Sequence, residues 1–292
     1  MSAKSPIAVD VYVTPLLPTA NGSDDPLKQW WSPTSLTLIH TAKSAIVVDT
    51  SATVPQTEEF ADWIEQTAPG KQIKYFFTTH AHPDHFMGFP VLQKRFPGIK
   101  AVATSKVLEG IWPMYTPNWA KLWQGFFPNQ VDATKHEWEA LPASNELDLD
   151  GHVLKAYDVV QGDSSANSFL HVPSLDLVVA GDLVYGDCYQ YLAEANTKEK
   201  RANWIKAVEQ IESLKPKIVV PGHKRRSQID GAYLTEPTKE YIRVFERELE
   251  KASSAEELEK RIIELYPERW NRFILERSCQ SSFAAKTKKE QL

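Results

Sequence analysis

The run Thr79-His80-Ala81-His82-Pro83-Asp84-His85 limits what this chain can become more than any other feature. It gathers three of the chain's eight histidines and an aspartate within six residues. It closes residues 72–79 (QIKYFFTT), a β-branched and aromatic stretch that reads as a strand. Imidazole and carboxylate are the donors that zinc and its first-row neighbours take. A turn leaving a strand can aim alternate side chains at one ion and the rest at a second.

Two later segments repeat the pattern. Residues 177–180 (LVVA) end in Gly181-Asp182, and residues 218–220 (IVV) end in Pro221-Gly222-His223. Each sets one ligand-type residue just past an apolar strand, where α/β sheets build their sites. The rest of the chain supplies such a sheet. Residues 8–14, 35–40 and 44–49 read as strands, 56–67 as a helix, and 100–104 as a further strand. A helix is expected from near His85 to Arg95. This β-α-β rhythm predicts a layered α/β fold. Residues 105–143 read as a helical insertion rich in aromatics. Strands return at 146–149, 152–160, 168–171 and 176–180, then a helix at 200–214 and a strand at 217–220. Residues 237–277 predict one or two charged amphipathic helices, read as a solvated flank, and 286–292 a frayed tail. No repeat or long linker divides the chain, so one domain over 1–292 is expected.

The HxHxDH run at 80–85, Gly181-Asp182 and Pro221-Gly222-His223, in this order, resemble the metallo-β-lactamase-fold superfamily. The resemblance spans about 145 residues from the first motif to the last. It implies an αββα sandwich with a two-metal site at one edge. It also implies that His80 and His82 bind the first metal, that Asp84, His85 and His223 bind the second, and that Asp182 bridges them.

One position departs from that pattern. The family usually places a third histidine in a Gly-His segment between these motifs. Here the segment reads Gln161-Gly162-Asp163-Ser164-Ser165, and Asp163 is expected as the ligand. His152 and His171 read as structural, and His136 lies in the insertion. Three carboxylates, Asp84, Asp163 and Asp182, would then face two divalent cations. The extra negative charge weakens the first cation as a Lewis acid. A hard oxygen donor admits Mn²⁺ or Fe²⁺ beside zinc. Residues 161–194 also look like a Gly-Asp subgroup of the superfamily, similar to filamentous-fungal lactamases that open benzoxazolinones. Tyr185 and Tyr189, just beyond Asp182, are candidates for catalytic contact or support.

The chemistry expected is attack of activated water on a carbonyl, with Asp84 orienting it or moving the proton. Trp30, Trp31, Trp112, Tyr115, Trp119 and Trp123 are candidate walls for a flat apolar substrate such as a small aromatic lactam, lactone or ester. A glyoxalase-type thioesterase, a nuclease and a non-catalytic binding protein with a decayed site are the rivals. Lys224-Arg225-Arg226 reads as a solvated run. With 33 basic and 38 acidic residues the net charge is −5, which argues against a nucleic-acid surface. No run approaches the about 18 apolar residues of a membrane span. Cys188 and Cys279 cannot form a disulfide framework. A soluble cytoplasmic protein with a small-molecule substrate is expected. No Gly-x-Ser-x-Gly elbow supports a serine hydrolase.

Overall fold

The protein is described from a computed structural model covering residues 6–290. The chain opens with β1 (Ala8–Val13), a short hairpin of β2 (Leu17–Pro18) and β3 (Trp30–Trp31), then β4 (Ser35–His40) and β5 (Ser44–Val48). Helix α1 (Val54–Thr67) leads to β6 (Gln72–Phe77), and α2 (Pro83–Phe86) and α3 (Phe89–Arg95) lead to β7 (Lys100–Ala103). Next come α4 (Ser105–Met114), α5 (Pro117–Phe126) and β8 (Glu139–Ala140). The second half holds β9 (Glu146–Leu149), β10 (His152–Asp158), β11 (Ser168–Val172), β12 (Leu177–Tyr185), α6 (Lys198–Ser213) and β13 (Ile218–His223). It ends with α7 (Thr235–Lys251), α8 (Ala255–Leu265) and α9 (Arg272–Glu290).

These strands form two main sheets, ordered β1-β4-β5-β6-β7-β8 and β13-β12-β11-β10-β9. Period-2 alternation splits each strand between two cores. In β5, Ala45 and Val47 pack outward with α1, α3 and α4, while Ile46 and Val48 face the other sheet. In β12, Leu177 and Val179 enter the same inter-sheet core, and Val178 and Ala180 meet Trp204 and Val208 of α6. The result is the expected αββα sandwich.

Local chemistry moves several boundaries. The helix expected from His85 to Arg95 is two short helices. Pro90 has no N–H to offer the Phe86 carbonyl, and the His85 carbonyl accepts the Thr50 N–H at 2.9 Å instead. The 105–143 insertion is helical only through Phe126; Glu139–Ala140 instead extends the first sheet beside β7. The charged C-terminal segment is not a solvated flank. Tyr241, Phe245, Leu258, Ile262 and Leu275 bury against the second sheet's outer core. Nor does it fray at Lys286, which lies in α9 and donates to the Leu249 and Ala252 carbonyls; Gln291 and Leu292 lie outside the described residues. Cys188 and Cys279 are buried free thiols. Among the described residues no helix is long and apolar enough to cross a membrane.

Candidate metal centre and active-site pocket

Strand ends assemble the site. Asp49 follows β5, His80 and His82 follow β6, and α2 carries Asp84 and His85. Irregular register in β12 between Val179 and Tyr185 turns Asp182 out of the regular ladder. Gly181 has φ +51°, and a Cβ there would lie 2.3 Å from Thr79 Oγ1. At the end of β13, a Cβ on Gly222 would lie 1.9 Å from Asp182 Oδ1. These glycines let the two strand ends close on each other.

Hydrogen bonding fixes which nitrogen each imidazole turns inward. Thr79 Oγ1 donates its proton to Asp49 Oδ2 at 2.8 Å, so it accepts from His80 Nδ1 at 3.0 Å. His80 Nε2 is left with a lone pair and no partner. His85 Nδ1 donates to Asp49 Oδ2 at 3.0 Å, and His223 Nδ1 to the Pro33 carbonyl at 2.9 Å. Their Nε2 atoms face Asp182, at 3.2 and 3.3 Å. His82 is reversed: Nε2 meets Glu194 Oε1 at 3.1 Å, and Nδ1 lies 2.7 Å from Asp163 Oδ2.

Among the described residues three groups of donors result, each with ligand atoms within 4.8 Å of one another: His80, His82 and Asp163; His80, His85 and Asp182; Asp84, His85 and His223. The structure thus brings all seven expected ligand residues together, Asp163 included. Ser164 N–H and Asn167 Nδ2 hold Asp163 Oδ1 at 2.7 and 2.6 Å. Asp163 Oδ2, Asp182 Oδ1 and His80 Nε2 are buried and make no well-formed hydrogen bond; their nearest neighbours are one another and the inward-turned nitrogens of His82, at 2.7 Å from Asp163 Oδ2, and of His85, at 3.2 Å from Asp182 Oδ1. Orphaned acceptors are costly in an interior, and three of them converging on nitrogen and carboxylate donors fit divalent cations.

The electrostatics follow from this crowding. Burial and the neighbouring His85 push His80 well below its ordinary value. Burial opposes ionisation of Asp182, yet His223 and His85 hold it well below the usual carboxylate range. Burial and Asp182 together push the Tyr185 phenol well above its ordinary value, so it stays protonated and donates to Asp182 Oδ2.

A pocket of about 220 Å³ opens beside these donors. Trp31, Trp119, Trp123, Phe126 and Phe273 form its walls, with Tyr191 and Glu194 near His82 and Arg277 also lining it. Trp31 and Trp123 meet edge to face at 5.3 Å. Three expected walls are elsewhere. Trp30 is exposed, Trp112 lies under Lys135, and Tyr115 packs behind α2 against Phe86. Tyr189 lines the pocket with its ring alone; its hydroxyl donates to the Tyr266 carbonyl at 2.7 Å, so it has no proton for a substrate. His152 bonds Ser174 and His171 sits in β11, both remote from the donor groups as expected. The basic run is not solvated throughout: Lys224 is buried on Asp230 and the Gln228 carbonyl, and Arg225 stacks on Trp270.

Sequence reasoning passed over Asp49, Glu194, Ser32, Asn271 and the polar role of Trp31. Asp49 carried the same signal as Asp182, an acid just past an apolar strand. Trp31 Nε1 donates to Asp84 Oδ2 at 3.1 Å. Ser32 Oγ lies 3.2 Å from His223 Nδ1 and contacts Asn271. Nothing local marks Glu194 or Asn271, since each reaches the site through chain folding alone.

Residues 30–223 match the sequence profile of the Metallo-beta-lactamase superfamily. The chain belongs to that superfamily of metal-dependent hydrolases, and its His and Asp clusters are suited to divalent cations. No curated protein sequence matches it significantly. Among solved structures it is similar to a metallo-beta-lactamase from Pontibacter korlensis, at 18% identity and TM-score 0.60, covering 82% of this chain and 99% of that one. It is also similar to the metallo-beta-lactamase FIM-1 from Pseudomonas aeruginosa in its mono-zinc form, at 20% identity and TM-score 0.54, covering 82% and 91%. A metallo-beta-lactamase from Hirschia baltica matches at 19% identity and TM-score 0.53, covering 81% and 93%. At these identities the structures speak for the fold alone.

Proposed function

We propose that this hydrolase uses two divalent cations, zinc foremost with Mn²⁺ or Fe²⁺ admissible, to open small aromatic lactams, lactones or esters. Benzoxazolinone-type cyclic carbamates belong to this class. The observation that carries the reading is the set of orphaned donors beside an aromatic pocket. His80, His82 and Asp163 would hold one cation; Asp84, His85 and His223 would hold the other, with Asp182 between. Bound cations supply Lewis acidity toward a carbonyl and lower the pKa of water toward neutrality.

The chain's own residues do the rest. The Trp31 indole holds one oxygen of Asp84 and so orients its carboxylate to pass a proton to the leaving atom. Tyr185 fixes the rotation of Asp182. Trp31, Trp119, Trp123 and Phe126 exclude water and clamp a flat ring, each ring pair contributing roughly 0.5–1.5 kcal/mol beyond burial. The proposed setting is cytoplasmic breakdown of xenobiotic rings, and the two unpaired thiols suit a reducing compartment.

A hydrolysis screen of lactams, lactones, esters and thioesters tests this on metal-reconstituted protein, with and without chelator. Chelator-sensitive opening of aromatic lactams or esters is expected. Turnover confined to thioesters would replace this reading with a glyoxalase-type one. Absence of both bound metal and hydrolysis would leave a non-catalytic binding protein.

A further inference from the structure

We propose that Arg277 is the specificity-determining residue of the pocket. It selects aromatic substrates that carry a carboxylate, or another anionic group, on the ring edge away from the bond to be broken. The inference rests on the hydrolase reading and names its substrate class.

Charge is distributed unevenly over the pocket. Asp84, Asp182 and Glu194 line it beside the histidines, whereas Arg277 is its one Lys or Arg among the described residues. Most arginines elsewhere are engaged. Arg95, Arg201, Arg243 and Arg261 pair with carboxylates, and Arg225 and Arg269 donate to backbone carbonyls. Among the described residues Arg277 has neither kind of partner. Its guanidinium lies 5.2 Å from the Phe273 ring centroid, one helical turn back on α9. A rigid fork of N–H donors resting on an aromatic wall matches a carboxylate.

The same asymmetry fixes substrate direction. An anionic substituent turned inward would meet the pocket carboxylates, and like charge there is repulsive. Turned toward Arg277 it gains a counter-charge, which leaves the neutral carbonyl facing the donors. Tyr191 lines the pocket beside the donors, its ring 5.3 Å from that of His82.

The test compares 4-carboxyphenyl acetate with the neutral isostere 4-carbamoylphenyl acetate on metal-loaded protein, each rate corrected for uncatalysed hydrolysis. The kcat/KM ratio of charged to neutral ester should exceed one. It should fall about tenfold in Arg277→Ala, the loss of a hydrogen-bonded charge pair, and less in Arg277→Lys. Arg277→Glu should prefer 4-(trimethylammonio)phenyl acetate, which a structural role for Arg277 would not produce. A second readout needs no turnover: on metal-free protein, ligand-observed NMR should show 2-naphthoate binding tighter than 2-naphthamide, and Arg277→Ala should erase the difference. Hydrolysis of both esters with a ratio indifferent to position 277 overturns the proposal and leaves the hydrolase intact. If no ester turns over while naphthoate binding depends on Arg277, anion recognition stands and the hydrolase reading falls. If neither effect appears, both fall.

Discussion

Acid should weaken the wall behind the site through His136, by an amount the structure sets. Its ring lies 4.4 Å from Phe89 and 5.0 Å from Trp138. The Tyr115 hydroxyl sits 3.1 Å from Nδ1 and receives the Trp138 indole proton. Phe86, next to His85 on α2, packs on both Tyr115 and Trp138. Burial lowers the imidazole from 6.5 to about 4, with only partial opposition from the Thr134 backbone and Asp132. The native state therefore binds fewer protons than the unfolded state across that window. The stability is complete above pH 6.5 and is lost as pH falls toward the folded value. Near pH 5 the penalty is about 2 kcal/mol, approaching roughly 3 at lower pH. Urea unfolding near pH 7.5 and near pH 5 measures it. The drop in wild-type stability should exceed that of His136→Phe by about 2 kcal/mol, since all other titrations cancel in the difference. Identical pH dependence in the two proteins would refute the argument.

Two further perturbations probe the metal centre directly. Gly222→Ala forces a methyl group against Asp182 Oδ1 and the Gly181 backbone; it should lower divalent-cation affinity at least tenfold by calorimetry, an effect of the size seen when ligand orientation is lost. Unaltered affinity would mean Asp182 is not a ligand. Asp163→His replaces a hard oxygen donor by nitrogen and should shift the bound metal from Mn²⁺ toward Zn²⁺ in competition dialysis, whereas an unshifted ratio would place Asp163 outside the coordination sphere.

The donor residues were legible because each is a chemical exception at a predictable place. His80 and His82 follow the apolar β6, His223 closes β13, and Asp182 sits where β12 leaves its regular register after an apolar run; strand ends in an α/β sheet converge on one edge. Asp163 was readable only as a departure from a family pattern, and its neighbours Ser164 and Asn167 gave no sign of holding it. The pocket was poorly legible. Trp30 and Trp31 are adjacent, yet one is exposed and the other bonds Asp84. Composition made Tyr185 and Tyr189 look alike, but the hydroxyls point to Asp182 and to the Tyr266 carbonyl.

By itself, then, the chain's order of residues determined the layering and the metal-type chemistry, because alternation of apolar side chains and clustering of histidines are local properties. Tertiary structure alone decided the cavity. Phe273, Ile274 and Arg277 reach it from α9 and Asn271 from just before that helix, far along the chain from β6. Glu194 meets His82 across 112 positions. Which side chains share a space depends on how helices pack over a sheet, and that is settled by the burial of many distant surfaces together, which no local pattern encodes.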